Sequence, residues 1–164
     1  MTQYVLDSAR TRIGFVAAHR VGPKVRGLFA VAEGAFQVDR TNPAASTGWL
    51  KVRMDSVETG DARRDAQLRQ EFFGVASYPE MSFVATGVTP TGADRFEVAG
   101  DLTIRGTTHP LTVPVSVTDA GDTLHLQASR AINRHTWRAN WNALTTALVR
   151  PAVELDLSLT ATRA

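Results

Sequence analysis

The stretch VELDLSLTA, residues 153–161, decides the fold class of this chain. Val153, Leu155, Leu157 and Leu159 fall on one side of an extended backbone, and Glu154, Asp156, Ser158 and Thr160 on the other. A period of two belongs to a strand with one dry face and one wet face. The same pattern recurs upstream. In LTVPVSVT (111–118), Leu111, Val113, Val115 and Val117 oppose Thr112, Pro114, Ser116 and Thr118. RFEVAGDLTI (95–104) sets Phe96, Val98, Leu102 and Ile104 against Glu97, Ala99, Asp101 and Thr103, and WLKVRMD (49–55) sets Leu50, Val52 and Met54 against Lys51, Arg53 and Asp55. Weaker runs at 11–19, 28–39, 80–88 and 123–131 bring the expected total to about eight strands.

Turn-forming clusters separate these runs: TNPAAS (41–46), TPTGAD (89–94), RGTTHP (105–110) and DAGD (119–122). Gly34 within a strand predicts a bulge or bend. Pro114, which has no N–H to donate, predicts an edge, a bulge or a distorted pairing. Consecutive antiparallel strands with short turns form a meander, and closing the meander into a barrel removes its exposed edges. About eight strands make a barrel just wide enough for side chains or one small ligand. The absence of strand–helix–strand alternation argues against a parallel nucleotide-binding sheet.

Composition narrows the function classes. A chain of 164 residues suits one domain, 1–164, and 43% hydrophobic with 21% charged residues is ordinary for a globular protein. With no cysteine, disulfides, thiolate chemistry and cysteine-ligated zinc are excluded. The net charge is only +2, and the arginines are interleaved with acids rather than gathered, so no nucleic-acid partner is expected. The start, MTQYVLDSARTRIGF, lacks a basic segment followed by an apolar one, and no apolar run approaches the ~20 residues of a membrane span. The expected protein is soluble, cytoplasmic and not membrane-spanning.

The densest charge lies in SVETGDARRDAQLRQEFF, 56–73. Residues 61–70 favour a helix, with Thr59 or Asp61 as cap and Asp65–Arg69 as an i,i+4 pair. Leu68 and Phe72 form an apolar stripe leading into Phe72–Phe73. The local expectation is a short helix laid against a barrel, charged outside and anchored by phenylalanine.

Several motifs in order resemble the YceI-like family of polyisoprenoid-binding, lipocalin-like proteins. SVETG, RRDAQLR, EFF and SYPEMSF (77–83) resemble its core signature. YVLD (4–7), GFVAAH (14–19), VRGLF (25–29), GDLTIRGTTHPLTV (100–113), INR (132–134) and Trp141-Asn142 resemble further segments in the family's order. HTWRANW after INR, and Arg150-Pro151, depart from the family pattern. The resemblance implies an eight-stranded antiparallel lipocalin-like barrel, with an apolar tunnel and the short helix over one side or mouth. It also implies a non-catalytic role in binding, carrying or sequestering a long-chain isoprenoid lipid such as a polyprenyl phosphate or quinone. Fatty acids or amides are alternative ligands, and the resemblance leaves room for a homodimer.

The alternating faces name the expected ligand contacts: Phe15, Leu50, Val52, Met54, Phe83, Phe96, Val98, Leu102 and Ile104. Phe29 and Trp141 join them through the resembling motifs. Such an interior either packs on itself or encloses a tunnel; the resemblance favours the tunnel. His19, in phase with Ile13, Phe15 and Ala17, either meets a polar headgroup or is satisfied by backbone. Arg26 and Arg105, expected in turns, either engage a headgroup or stay as surface charges. Asp101 is expected to pair with an arginine of the 61–69 helix, and Trp137 and Trp141, on either side of Arg138, to pack at the barrel rim, with ligand contact as the second option. The histidines lack metal-ligand spacing, and no G-x-S-x-G, P-loop or dinucleotide fingerprint occurs, so neither a metal nor an enzymatic activity is expected. Two other readings remain: a filled barrel serving as a structural or interaction protein, and a hydrolase or isomerase acting on an amphipathic substrate through a cluster at His19.

Overall fold

A computed structural model describes residues 1–139 and 149–164. The described strands are β1 (Thr2–Leu6), β2 (Arg12–His19), β3 (Val25–Phe29), β4 (Ala32–Val38), β5 (Thr47–Arg53), β6 (Val57–Glu58), β7 (Glu80–Gly92), β8 (Arg95–Ile104), β9 (Thr107–Asp119), β10 (Thr123–Asn133) and β11 (Val149–Arg163). All pairings are antiparallel, in the order β1-β4-β5-β7-β8-β9-β10-β11, and β11 returns to β1 with Leu6 opposite Ala161. The result is a closed ring of eight staves.

The first three staves are each broken in two. β1 and β2 both run along β11, interrupted by a turn at Ser8–Arg10 whose cap, Asp7, accepts from Ala9 N. β3 lies beside β2 and β4 beside β1; β5 lies beside β4 and β6 beside β3. The expected strand 28–39 is therefore two strands, separated where Ala30 N donates to Ser56 O and Val31 N to Ser56 Oγ. The tight turn at Arg105–Gly106 is shorter than the expected 105–110, because both residues take positive φ (52° and 70°) and reverse the chain in two positions.

Helix α1 (Ala62–Gln67) continues into a π-helical turn at Leu68–Phe72. Asp61 is its cap, accepting from Arg63 N and Arg64 N at 3.0 and 3.1 Å. Asp65 does not pair with Arg69 as expected. Its buried carboxylate turns back and accepts from Thr59 N and Thr59 Oγ1, which ties the helix start to the end of β6. Asp101 likewise makes no ion pair among the described residues; it stands exposed on the outer face of β8, paired in register with Pro110. Asp65→Ala would leave the Thr59 donors without their acceptor at a cost of roughly 1–3 kcal/mol. A thermal melt of this variant should shift down by several degrees while the folded fraction keeps its ligand stoichiometry.

The core is the barrel interior. Ile13, Val52, Met54, Met81, Leu102 and Ile104 are among its most buried members. Two inward glycines let phenylalanine rings lie across neighbouring strands: a Cβ on Gly27 would sit 2.4 Å from the Phe15 ring, and one on Gly100 would meet Phe83 at 2.4 Å and Val84 O at 2.5 Å. At one end Phe15, Phe29, Phe73 and Phe72 form a chain of ring contacts with centroids 5.4–5.9 Å apart, sealing that end beneath α1.

Candidate functional site

The barrel interior is not filled. Inward side chains such as Phe83, Phe96, Val98, Leu111, Val115 and Leu126 alternate with exposed or half-buried outer-face neighbours, yet each is only partly buried. A main chamber of about 370 Å³ lies against them, lined by Leu50, Val52, Phe83, Phe96, Val98 and Leu102 among others. A smaller chamber of about 130 Å³ lies under α1, lined by Phe15, His19, Phe29, Met54, Phe72 and Ile104 among others. Met81 and Leu155 border both and form the partition. Met81 is flexible enough to reshape that partition around a guest.

The structure therefore gathers eleven of the thirteen residues singled out from the sequence onto the chamber walls: six on the main chamber and five on the smaller one. Arg26 is a correction. It lies within β3 rather than in a turn, between inward Val25 and Gly27, so its side chain stands on the outer face. There it lines a solvent-facing trough with Arg12, Glu97 and Gln127. Trp141 lies outside the described residues. His19 borders the smaller chamber, with its Nδ1 3.3 Å from Pro23 O, and Arg105 Nη1 donates to Phe72 O at 2.9 Å, holding the π-helical turn to the β8–β9 hairpin.

Sequence reading missed two arginines that lie in phase with Ile132. Alternation carried through ASRAINR places Arg130 and Arg134 on the inward side of β10 and its continuation. Arg134 is 2% exposed and borders the smaller chamber. Its Nε donates to Arg150 O at 3.2 Å, its Nη1 donates to Ala139 O at 3.3 Å, and its guanidinium lies 5.8 Å from the Phe72 ring centre. Burial pushes its pKa down from the ordinary arginine value. Trp137 packs at the same end, 4% exposed, and donates Nε1–H to Leu102 O at 2.8 Å.

The main chamber reaches solvent at the opposite end, between the 39–46 loop and the β7–β8 hairpin around Asp94. Arg40 crosses this end. Arg40 Nε lies 2.7 Å from Asp119 Oδ2, and Arg40 also donates to Thr2 Oγ1 and Tyr4 OH. Arg40 follows β4 and Asp119 ends β9, which are opposite staves of the ring. Tyr4 OH donates to Gly121 O at 2.6 Å, and Tyr4 and Leu124, with Phe36 and Val38 against them, pinch the barrel nearby.

The hydrogen bond from Arg40 is the largest cause holding the Asp119 carboxyl below its ordinary pKa. A depressed carboxyl pKa contributes stability above the unfolded value of about 3.9 and loses it as pH falls through the folded value. Asp119→Asn should therefore lower stability near neutrality and flatten the acid limb of a plot of Tm against pH. Both partners are more than a third exposed or close to it, so solvent and salt screen the pair and the effect is modest.

Three comparisons place this geometry among known proteins. Residues 4–161 match a family described as the YceI-like domain. The protein YceI of Escherichia coli O157:H7 is 37% identical over 97 residues, covering 58% of this chain and 50% of that protein. That of Salmonella arizonae is 36% identical over the same length and with the same coverage. The aligned part thus spans about half the length of these curated relatives. Among solved structures, BcnA of Burkholderia cenocepacia superposes with a TM-score of 0.89 at 25% identity, over 96% of this chain and 99% of that one. A polyisoprenoid binding domain from Saccharophagus degradans superposes with a TM-score of 0.82 over the whole of both chains, at 17% identity, a likeness of fold.

Proposed function

The chain belongs to the YceI-like family, and from that premise we propose that its barrel takes up a long-chain isoprenoid lipid, a polyprenyl phosphate or a quinone, as a carrier or sequestering protein without turnover. The observation that carries this reading is the interior itself: two adjoining chambers walled mainly by aliphatic and aromatic side chains, with Met81 and Leu155 lining both. The polyisoprenoid binding described for the Saccharophagus protein of the same fold supports it. A branched apolar tail lying along Val98, Leu102 and Phe83 gains about 0.8 kcal/mol for each CH₂ removed from water. Of the charged residues that line the main chamber, Arg40, Asp94, Asp119 and Arg130 are exposed to solvent and Asp39 is half-buried, so the tail is buried without stranding a charge.

The experiment is native mass spectrometry of the purified protein, followed by organic extraction and identification of the lipid. A stoichiometric isoprenoid or quinone would support the reading. A protein that is free of lipid and takes none up from a lipid extract would refute it, and stoichiometric fatty acid or fatty amide would move the ligand class.

A further inference from the structure

The barrel wall has a seam. The β9–β10 ladder runs from Asp119↔Leu124 to Val115↔Ala128 and stops there. Pro114, the next residue of β9, has no N–H with which to continue it. Beyond this point β9 stays paired to β8 as far as Thr107, and β10 stays paired to β11 as far as Asn133. The two strands have no backbone pairing with each other above Val115 and Ala128 among the described residues. Trp137, reaching Leu102 O and stacked edge-on against His109 at 5.8 Å, occupies the upper part of the gap.

Arg130 stands in the middle of the gap. It is in phase with inward Ala128 and Ile132, borders the main chamber and is exposed to solvent. Its Nε donates across the seam to Thr112 O at 2.9 Å, and its Nη1 donates to Ala131 O at 2.7 Å. These acceptors are neutral, and no carboxylate pairs with Arg130 among the described residues. The other charged residues bordering this chamber are Asp39, Arg40, Asp94 and Asp119, and there Arg40 is tied to Asp119. The end mouth is therefore acidic, while the seam carries a cation with no acidic partner where apolar wall meets water.

We infer that the β9–β10 seam is the headgroup site of the bound amphiphile, with Arg130 receiving an anionic head, phosphate or carboxylate, while the tail occupies the main chamber. The inference rests on the lipid-binding reading and adds the chemistry and position of the head. A guanidinium offers a planar fork of donors to either oxyanion, and an anion placed there would face Arg130 rather than the aspartates of the mouth. Arg130 gives up a neutral carbonyl in exchange for a charged acceptor, and charge-assisted hydrogen bonds are the stronger kind.

The test uses four probes, geranylgeranyl phosphate, geranylgeraniol, palmitate and hexadecanol, titrated into the full chain and into Arg130→Gln. Wild type should bind each anion about ten-fold or more tightly than the matching alcohol, as a charge-assisted contact implies. Arg130→Gln should erase that preference while leaving alcohol binding within about two-fold. Because Arg130 is exposed, the variant is expected to fold, and its melt provides the control. The preference should also shrink as salt is raised. A preference confined to the phosphate or to the carboxylate would name the head. An anion preference that survives Arg130→Gln, or no preference in wild type, would overturn the site while leaving lipid binding intact. Failure of all four probes to bind wild type would overturn both.

Discussion

Replacing Val98 with tryptophan should reduce affinity for a long prenyl chain by at least about ten-fold and leave the melting temperature within a few degrees of wild type. Val98 faces the main chamber from the middle of β8 and is only partly buried there. An indole at this position enters space that the tail would use. Displacing even two buried CH₂ groups forfeits ~1.6 kcal/mol at 0.8 kcal/mol each, which is more than ten-fold in binding. The stability half of the expectation carries equal weight. In a filled core, enlarging a side chain forces strain of about 1–3 kcal/mol, and in a chain of this length each kcal/mol lowers Tm by roughly 2–4 °C. A barrel with an open chamber of about 370 Å³ takes the ring with little strain. Calorimetry alongside a prenyl-chain titration therefore separates an open barrel from a filled one. A large fall in Tm would mean that the chamber closes in solution.

The largest loss of stability should come from Trp137→Ala. Trp137 is 4% exposed, donates to Leu102 O from inside the barrel end and packs edge-on against His109. Removing a buried tryptophan costs about 3–5 kcal/mol, which corresponds to a fall in Tm of roughly 6–20 °C. Trp137→Phe keeps much of the packing and loses the indole N–H, so its cost should be nearer 1–2 kcal/mol. Denaturant unfolding of the two variants gives the comparison. Equal losses would mean that the hydrogen bond to Leu102 O, rather than the packing, holds this residue in place. A Trp137→Ala variant as stable as wild type would show that the upper seam is closed by something other than this ring.

Most of the architecture was legible in the sequence because its main determinant is local. A period of two in VELDLSLTA or LTVPVSVT states which side of each strand is dry, and those sides do face the interior: Leu155 and Leu157 border the main chamber, as do Val113 and Val115. The Asp61 cap and the Phe72–Phe73 anchor of the short helix were also readable from adjacent residues. Alternation further placed Leu50, Val52, Phe83 and Val98 on one interior surface without any knowledge of which strands are neighbours. Carried on through ASRAINR the same alternation puts Arg130 and Arg134 on that side too, but the expected strand 123–131 stops short of Ile132, and neither arginine was singled out.

The remaining features depend on parts of the chain far apart in sequence. Whether a ring of inward residues fills its centre or leaves space is set by the volume they share across eight staves, a sum that no strand contains. Breaking the first three staves needs contacts such as Ser56 with Val31, twenty-five residues apart. Arg40 meets Asp119 only because β4 and β9 become opposite staves when the meander closes. Pro114 announced a lost hydrogen bond by itself, but its consequence, a seam with Arg130 reaching across to Thr112, exists only once β10 is laid beside β9. Local periodicity determined the strands and their apolar faces; closure of the ring decided the chambers, the mouth and the seam, because empty space and cross-barrel charge are properties of surfaces that meet only after folding.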